Sequence, residues 1–311
     1  EGDFEQCVRA INICNRPIIS VDIPSGLNAD TGESMGICVK ATHTLCMLGL
    51  KFGLLSGHGR DCSGTVWLSA LGIDRTPLAT ARTNAPQPSN NRLHKSHKGT
   101  YGDVAVVGGA PGMQGAAVLA ATAAVYAGAG RTFLLPLSPE ASQIFGARPE
   151  VMVRELGSIP IDSMTVVAGC GGGAAIEGHL GDLIEKSKNL IVDADALNAL
   201  ARSPTLCNQL RRREMDATIL TPHPLEAARL LNSTAAAINS DRLNAAKELV
   251  DRFQCIVVLK GSGTIIASPH ELPRINLSGN ARLSTGGTGD VLAGMIGSYV
   301  SKFDRPFEAT C

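Results

Sequence analysis

Glycines at positions 286, 287 and 289 lead into an acid in the stretch Asn280-Ala-Arg-Leu-Ser-Thr-Gly-Gly-Thr-Gly-Asp290, which continues as Val291-Leu-Ala-Gly-Met-Ile-Gly-Ser-Tyr-Val300. The apolar spacing after Asp290 predicts an amphipathic helix with Val291, Leu292, Met295, Ile296, Tyr299 and Val300 on one face. The unpaired amides of a helix's first turn, at the positive end of its dipole, make an anion site. Gly286, Gly287, Thr288 and Gly289 are therefore expected to form an anion hole. Glycine there lets a phosphate come close to the backbone. A carboxylate beside such a site suits a general base that deprotonates a hydroxyl attacking a phosphoryl group, and Asp290 is the expected base. The plainer alternative is an acid that only caps the helix.

Other residues could serve the same chemistry. Lys260-Gly-Ser-Gly-Thr264 offers a cation, open amides and two hydroxyls in one tight turn, a surface for a nucleotide phosphate, although it lacks P-loop spacing. His223 stands between two prolines at a strand end, where it could orient a ligand. Asp193 and Asp195 leave a strand end in alternation and need not converge; one could hold a metal ion through water, and Asp195 could cap the next helix. Gly109-Ala-Pro-Gly112-Met-Gln-Gly115 follows a strand, but its spacing is GxxGxxG and the next strand ends without an acid for a ribose hydroxyl. A dinucleotide dehydrogenase is thereby disfavoured. Asp22 ends a buried strand and needs a hydrogen-bond or cation partner. Arg211-Arg-Arg213 reads as a solvated patch.

The elements that must position these groups alternate. Strands are expected at 17–23, 42–48 and 64–70. A polar stretch from 76 to 97 with Pro77, Pro86, Pro88, Ser89, Asn90 and Asn91 reads as a linker. Beyond it, strands at 104–107, 131–135, 165–168, 190–193 and 218–220 alternate with helical segments, and 256–260 with 264–267 forms a hairpin. The expected fold is α/β, a mostly parallel sheet with helices on both faces, whose ligands sit at the carboxyl ends of the strands. With 311 residues there is room for about two domains. The 28 basic and 28 acidic residues balance, and no apolar run reaches membrane-spanning length, so neither nucleic acid nor membrane is an expected partner. Nine cysteines without a CxxC pair read as reduced and mostly buried, in a cytoplasmic protein. Symmetric contacts of such a sheet would make it a homo-oligomer. The start at Glu1 and the stop at Cys311 suggest a piece of a longer protein.

One family carries these motifs in this order. Residues 98–311 closely resemble the ADP/ATP-dependent NAD(P)H-hydrate dehydratase domain. The resemblance lies in His97-Lys-Gly-Thr-Tyr-Gly102, Gly108-Gly109, the Ala-rich 116–127, Ala147-Arg-Pro-Glu150, Val192-Asp-Ala-Asp-Ala-Leu-Asn198, Thr221-Pro-His-Pro224, Lys260-Gly-Ser-Gly-Thr264 and Ser284–Leu292. Residues 1–75 resemble the C-terminal part of the NAD(P)H-hydrate epimerase domain, through Val21-Asp-Ile-Pro-Ser-Gly26. The resemblance implies a ribokinase-like fold preceded by a partial Rossmann-like α/β domain. It implies that Lys260, Gly261, Ser262, Gly263, Thr264 and Gly289 contact ADP or ATP, and that Ala116, Gly171, Gly173, His223 and Asp290 face the hydrated NADH or NADPH. Magnesium would accompany the nucleotide. In the epimerase remnant, Asp22 would contact substrate and Ser25 potassium. Cys170 stands where the family usually has Pro, Gly172 where Leu is common, and Leu225 where Gly is usual. The epimerase's upstream Asn-Asn-x-Gly-Asp-Gly loop is absent, so epimerisation is not expected of this chain. The alternatives are a ribokinase-like small-molecule kinase and a non-catalytic nucleotide-binding protein.

Overall fold

The computed structural model describes residues 2–74, 76–85, 92–138 and 148–311. Pro86, Pro88, Ser89, Asn90 and Asn91 of the expected linker, and Ala147 of the family motif, lie outside the described residues. Near the N-terminus, β1 (Ile19–Val21), β2 (His43–Met47) and β3 (Thr65–Ser69) form a parallel sheet in that order. The second sheet contains β4 (Arg82–Thr83), β5 (Asp103–Gly108), β6 (Arg131–Pro136), β7 (Val151–Val153), β8 (Thr165–Ala168), β9 (Asn189–Val192), β10 (Thr218–Leu220), β11 (Ile256–Leu259), β12 (Ile265–Ala267) and β13 (Arg274–Ile275). Its order among the described residues is β4-β13-β12-β11-β10-β9-β8-β5-β6-β7.

From β7 to β11 every neighbour is parallel, while β12 pairs antiparallel with both β11 and β13. The expected mostly parallel sheet is thus present, with the expected hairpin formed by β11 and β12. Arg82–Thr83, inside the segment read as a linker, adds a parallel strand beyond β13. The central strands are buried on both faces, which is why they read as unbroken apolar runs. One face packs against the helices Glu177–Lys186, Ala194–Arg202, Pro224–Leu231 and Arg242–Phe253. The other packs against Gln114–Tyr126 and Thr288–Val300. A third, smaller core joins Leu27, Cys38, Cys46, Leu54, Leu55 and Cys62 of the N-terminal region to Ile275 of β13.

Four sequence expectations need correction. The strand that Asp22 follows is not buried: in β1 only Ser20 faces inward, while Ile19 and Val21 are 69% and 62% exposed. The helix after the Gly-rich stretch buries Ala293, Gly294, Ile296, Gly297 and Val300, while Met295 and Tyr299 are 41% and 40% exposed. Small residues face inward because this helix lies hard against Gln114–Tyr126: a Cβ on Gly294 would stand 2.0 Å from the Ala120 carbonyl oxygen. Arg211 and Arg212 are exposed as expected, but Arg213 is only partly exposed; it donates to the carbonyls of Ile184, Ser187, Lys188 and Ala217 and to the Thr218 hydroxyl. It satisfies carbonyls that the end of the helix Glu177–Lys186 leaves without amide partners. Cys38 and Cys62, 24 residues apart, are joined in a disulfide, because the fold lays the end of the short helix Gly59–Cys62 beside the segment that carries Cys38. No helix among the described residues is long and apolar enough to cross a membrane.

Candidate active site

The carboxyl ends of β5, β8, β9, β10 and β11 bring together the groups singled out in the sequence. Asp193 follows β9 and is 1% exposed. Its Oδ1 accepts from the Lys260 ammonium at 2.7 Å, just past β11, and from the Thr221 hydroxyl at 2.7 Å, just past β10. Asp195 belongs to the first turn of the following helix and turns away, accepting from the Gly173 N–H at 2.8 Å. The two acids do diverge, but Asp195 fixes the glycine loop rather than capping its helix. Burial alone would lower the pKa of Lys260; the charges of Asp193 and Glu226 outweigh it and hold the ammonium protonated.

Asp290 lies in the first turn of the helix Thr288–Val300, which starts two residues earlier than the sequence suggested. Gly287 precedes it with φ 89°, a conformation that glycine adopts without strain. The first-turn amides of this helix have no intrahelical acceptors, as the anion-hole expectation requires. The dipole should favour an ionised Asp290. Burial, joined by the charge of Asp193, outweighs that and raises its pKa above the ordinary carboxylate value, against opposing contributions from Cys170 and Lys260. Ligand atoms of Cys170, Asp193 and Asp290 all lie within 4.8 Å of one another. Burial and these two carboxylates push the Cys170 thiol well up, so it stays protonated, and its Sγ donates to Asp193 Oδ2 at 4.0 Å.

Gly289 joins the two halves of the site: a Cβ there would meet the Lys260 ammonium at 3.3 Å. Past Lys260 the turn Gly261-Ser-Gly-Thr264 carries φ 142° at Gly261 and φ 70° at Gly263, and the Thr264 hydroxyl donates to the Gly261 carbonyl. On the other flank, Gly171 and Ala116 touch: a Cβ on Gly171 would come within 2.9 Å of the Ala116 methyl. Gly171 and Gly173 both have positive φ, which explains glycine at these positions.

His223 does not simply point into the site. Its Nδ1 accepts from the Leu225 and Glu226 amides, and Glu226 accepts from the His223 N–H, a reciprocal cap on the helix Pro224–Leu231. Nε2 lies 3.3 Å from Glu226 Oε1, so the exposed edge of the ring is what a ligand could meet. Burial and the charges of Lys260 and Arg229 lower its pKa, so the ring is neutral. Glu226 was missed by the sequence reading. It is 5% exposed, lies 3.9 Å from Lys260, and is pushed up to about 7 by burial. The signal was present, since Glu stands three residues after His223 at a helix start.

Asp22 and Ser25 lie apart from this cluster, at the end of β1 in the smaller sheet. Asp22 is paired with Lys51 and also accepts from the Met47 amide, which holds its carboxyl below the usual value. Ser25 is exposed and its carbonyl accepts from the Val39 amide.

Comparison with known proteins agrees with this geometry. Residues 104–311 match the family model described as NAD(P)H-hydrate dehydratase, and residues 1–53 match the YjeF-related protein N-terminus. The chain is 39% identical to the bifunctional NAD(P)H-hydrate repair enzyme Nnr of Escherichia coli, over 99% of this chain and 61% of that one. It therefore spans about three fifths of the curated relatives of that kind. It is 39% identical to the ADP-dependent (S)-NAD(P)H-hydrate dehydratase of Neisseria meningitidis serogroup B, over 77% of this chain and 83% of that one. Among solved structures, the ADP/ATP-dependent NAD(P)H-hydrate dehydratase of Bacillus subtilis, co-crystallised with ATP and Mg2+, matches with TM-score 0.61 and 29% identity, covering 71% of this chain and 79% of that one. The fold is the ribokinase-like one that the motifs implied. With the motifs in order, the rim assembled and two thirds of its length matched, the chain belongs to the NAD(P)H-hydrate dehydratase family.

Proposed function

We propose that this chain restores hydrated NADH and NADPH, in the S form, to NADH and NADPH at the expense of ADP, yielding AMP and phosphate. The observation that carries the proposal is the convergence of Asp290, its first-turn amides and the Lys260 ammonium at one rim of the sheet. Asp290 takes the proton of the C6 hydroxyl of the hydrate as that oxygen attacks the terminal phosphoryl of ADP. Its raised pKa makes it a stronger base than an exposed aspartate. The amides of Gly286, Gly287, Thr288 and Gly289 stabilise the charge gathering on the transferring group. Phosphate then departs and a ring proton is lost, which restores the dihydropyridine.

Lys260, Gly261, Ser262, Gly263, Thr264 and Gly289 would hold the adenine nucleotide; Ala116, Gly171, Gly173 and the exposed edge of His223 would face the hydrate. Magnesium would be held by Asp193, whose Oδ1 is taken by Lys260 and Thr221 and whose Oδ2, a hard oxygen donor beside Gly289, accepts only the long contact of the Cys170 thiol at 4.0 Å. There it would neutralise phosphate charge. In the N-terminal part, read as an epimerase remnant over residues 1–75, Asp22 would contact substrate. Potassium at Ser25 would have the hydroxyl and the remaining lone pair of the Val39-bonded carbonyl. A cytoplasmic homo-oligomer completes the proposal.

The test mixes the protein with magnesium, hydrated NADH and either ADP or ATP. The expected result is recovery of dihydronicotinamide absorbance together with AMP from ADP, or ADP from ATP, faster with ADP. Accumulation of a stable phosphorylated product would instead identify a kinase, and AMP binding without turnover a non-catalytic protein.

A further inference from the structure

Arg242 opens the helix Arg242–Phe253, yet it is 3% exposed and forms no ion pair with a carboxylate among the described residues. A buried guanidinium without a counter-ion is costly unless its N–H groups are well used. Here they all turn to one place. Nη2 donates to the carbonyls of Leu259 and Gly263, each at 3.3 Å, and both Nη atoms reach the Lys260 carbonyl at 3.4 Å. Nε donates to the Ser56 hydroxyl at 3.2 Å. The guanidinium lies directly beneath the turn, since a Cβ on Gly261 would meet Nη1 at 2.6 Å.

These bonds orient peptide planes. There is no cis peptide bond among the described residues, and across a trans peptide the C=O and the next N–H point in opposite directions. Drawing the Lys260 and Gly263 carbonyls down onto Arg242 therefore turns the Gly261 and Thr264 amides up, away from the guanidinium. That is the side on which an anionic nucleotide would be met.

The other half of the clasp comes from far away in sequence. Ser56 is fully buried, and its hydroxyl, besides accepting from Arg242, lies 3.4 Å from the Ser262 carbonyl. The Gly57 amide donates to the same carbonyl at 3.2 Å, and the Ser262 hydroxyl returns a bond to the Gly57 carbonyl. The Leu55 carbonyl fills the space where a Cβ on Gly263 would sit, 2.2 Å away. Four residues on, Arg60 donates to the carbonyls of Leu277 and Gly279, in the loop that leads to the Asn280–Asp290 stretch. Segment 55–60 thus holds both chain stretches that carry the nucleotide side of the site.

We infer that Ser56 and Arg242 are positioning residues for the turn 260–264, so that a segment of the N-terminal region is a working part of nucleotide binding in the dehydratase. The inference rests on the reading of 260–264 as the nucleotide turn. It concerns ADP alone: neither residue meets Ala116, Gly171 or the Asp290 carboxylate.

The experiment uses the full chain and steady-state kinetics with ADP and hydrated NADH varied separately. Ser56→Ala should raise the KM for ADP about five-fold, the effect of losing roughly 1 kcal/mol of hydrogen bonding, while kcat and the KM for the hydrate stay within two-fold. Arg242→Lys, which keeps the charge but cannot reach the same carbonyls, should raise the KM for ADP further. Amide hydrogen exchange with and without ADP accompanies both. In the unmodified protein, ADP should slow exchange at 260–264, and higher ADP should be needed for the same slowing in Ser56→Ala. Absence of ADP-dependent slowing at 260–264 in the unmodified protein sinks the nucleotide-turn reading, and this inference with it. Slowing there combined with an unchanged KM for ADP in both variants, or a change confined to kcat or the hydrate KM, overturns this inference alone.

Discussion

Two opposing fields meet at Asp290. The helix N-terminus favours its charge, whereas burial and the neighbouring Asp193 disfavour it, and the net pKa is raised. A base must be ionised to act, so turnover should fall as pH drops through the raised pKa. The acid limb of kcat should thus lie above the ordinary aspartate value of about 3.9. A limb at or below that value would show that the carboxylate is not perturbed in the working complex. Asp290→Ala should leave circular dichroism unchanged and lower turnover by about a hundred-fold or more; near-normal turnover would remove Asp290 from the mechanism. Glu226 poses a different question, of stability. Its folded pKa is raised from 4.5 to about 7, so the folded state binds the extra proton and stability from this group declines as pH climbs between those values. Glu226→Gln should flatten that decline, by on the order of 1–3 kcal/mol between pH 4.5 and 7.5, read by urea unfolding at both pH values.

At the scale of elements, the helix carrying Asp290 is placed by close packing of small side chains. Gly294 lies on the backbone of Gln114–Tyr126, and a Cβ on Gly297 would meet the Val167 side chain of β8 at 2.6 Å. The contact at Gly294 is with a carbonyl oxygen and cannot be relieved by a rotamer change. Gly294→Ala should therefore cost about 3 kcal/mol in urea unfolding and lower activity by moving the first turn away from Lys260. A change below about 0.5 kcal/mol would mean that the two helices can separate freely. Surface substitution of the same helix at Met295, which is 41% exposed, gives the control. The cap formed by His223 and Glu226 belongs to this scale too. It commits the imidazole Nδ1 to holding a helix start, and so limits what the ring can offer a ligand.

Across the whole molecule, the smaller and larger sheets share structure. Ile275 of β13 sits in the same core as Leu27, Leu54 and Leu55, β4 extends the larger sheet, and segment 55–60 grips the turn 260–264. Cutting that core should destabilise both regions at once. Leu54 is 1% exposed, and Leu54→Ala should cost about 2–4 kcal/mol. Loss of dehydratase activity and loss of far-ultraviolet dichroism should shift together in urea. Activity that persists while the dichroic transition moves would separate the two regions. The second sheet face of the N-terminal region remains open, with Ile19, Val21 and Trp67 more than half exposed.

The strand–helix alternation, the parallel sheet and the rim carrying Gly169–Gly173, Asp193, His223, Lys260 and Asp290 were legible in the sequence, because apolar runs, glycines and strand ends are local signals. The inward face of the last long helix was not, since periodicity points to large apolar residues whereas the neighbouring helix left room only for small ones. The Cys38–Cys62 bond, the partnership of Lys260 with Asp193, the Glu226 environment and the clasp of Ser56 and Arg242 on the turn were equally hidden. Each joins residues distant along the chain. Residue types determined which groups were available for chemistry; only the folded chain decided which charge faces which, because burial and distance set the strength of every one of those interactions.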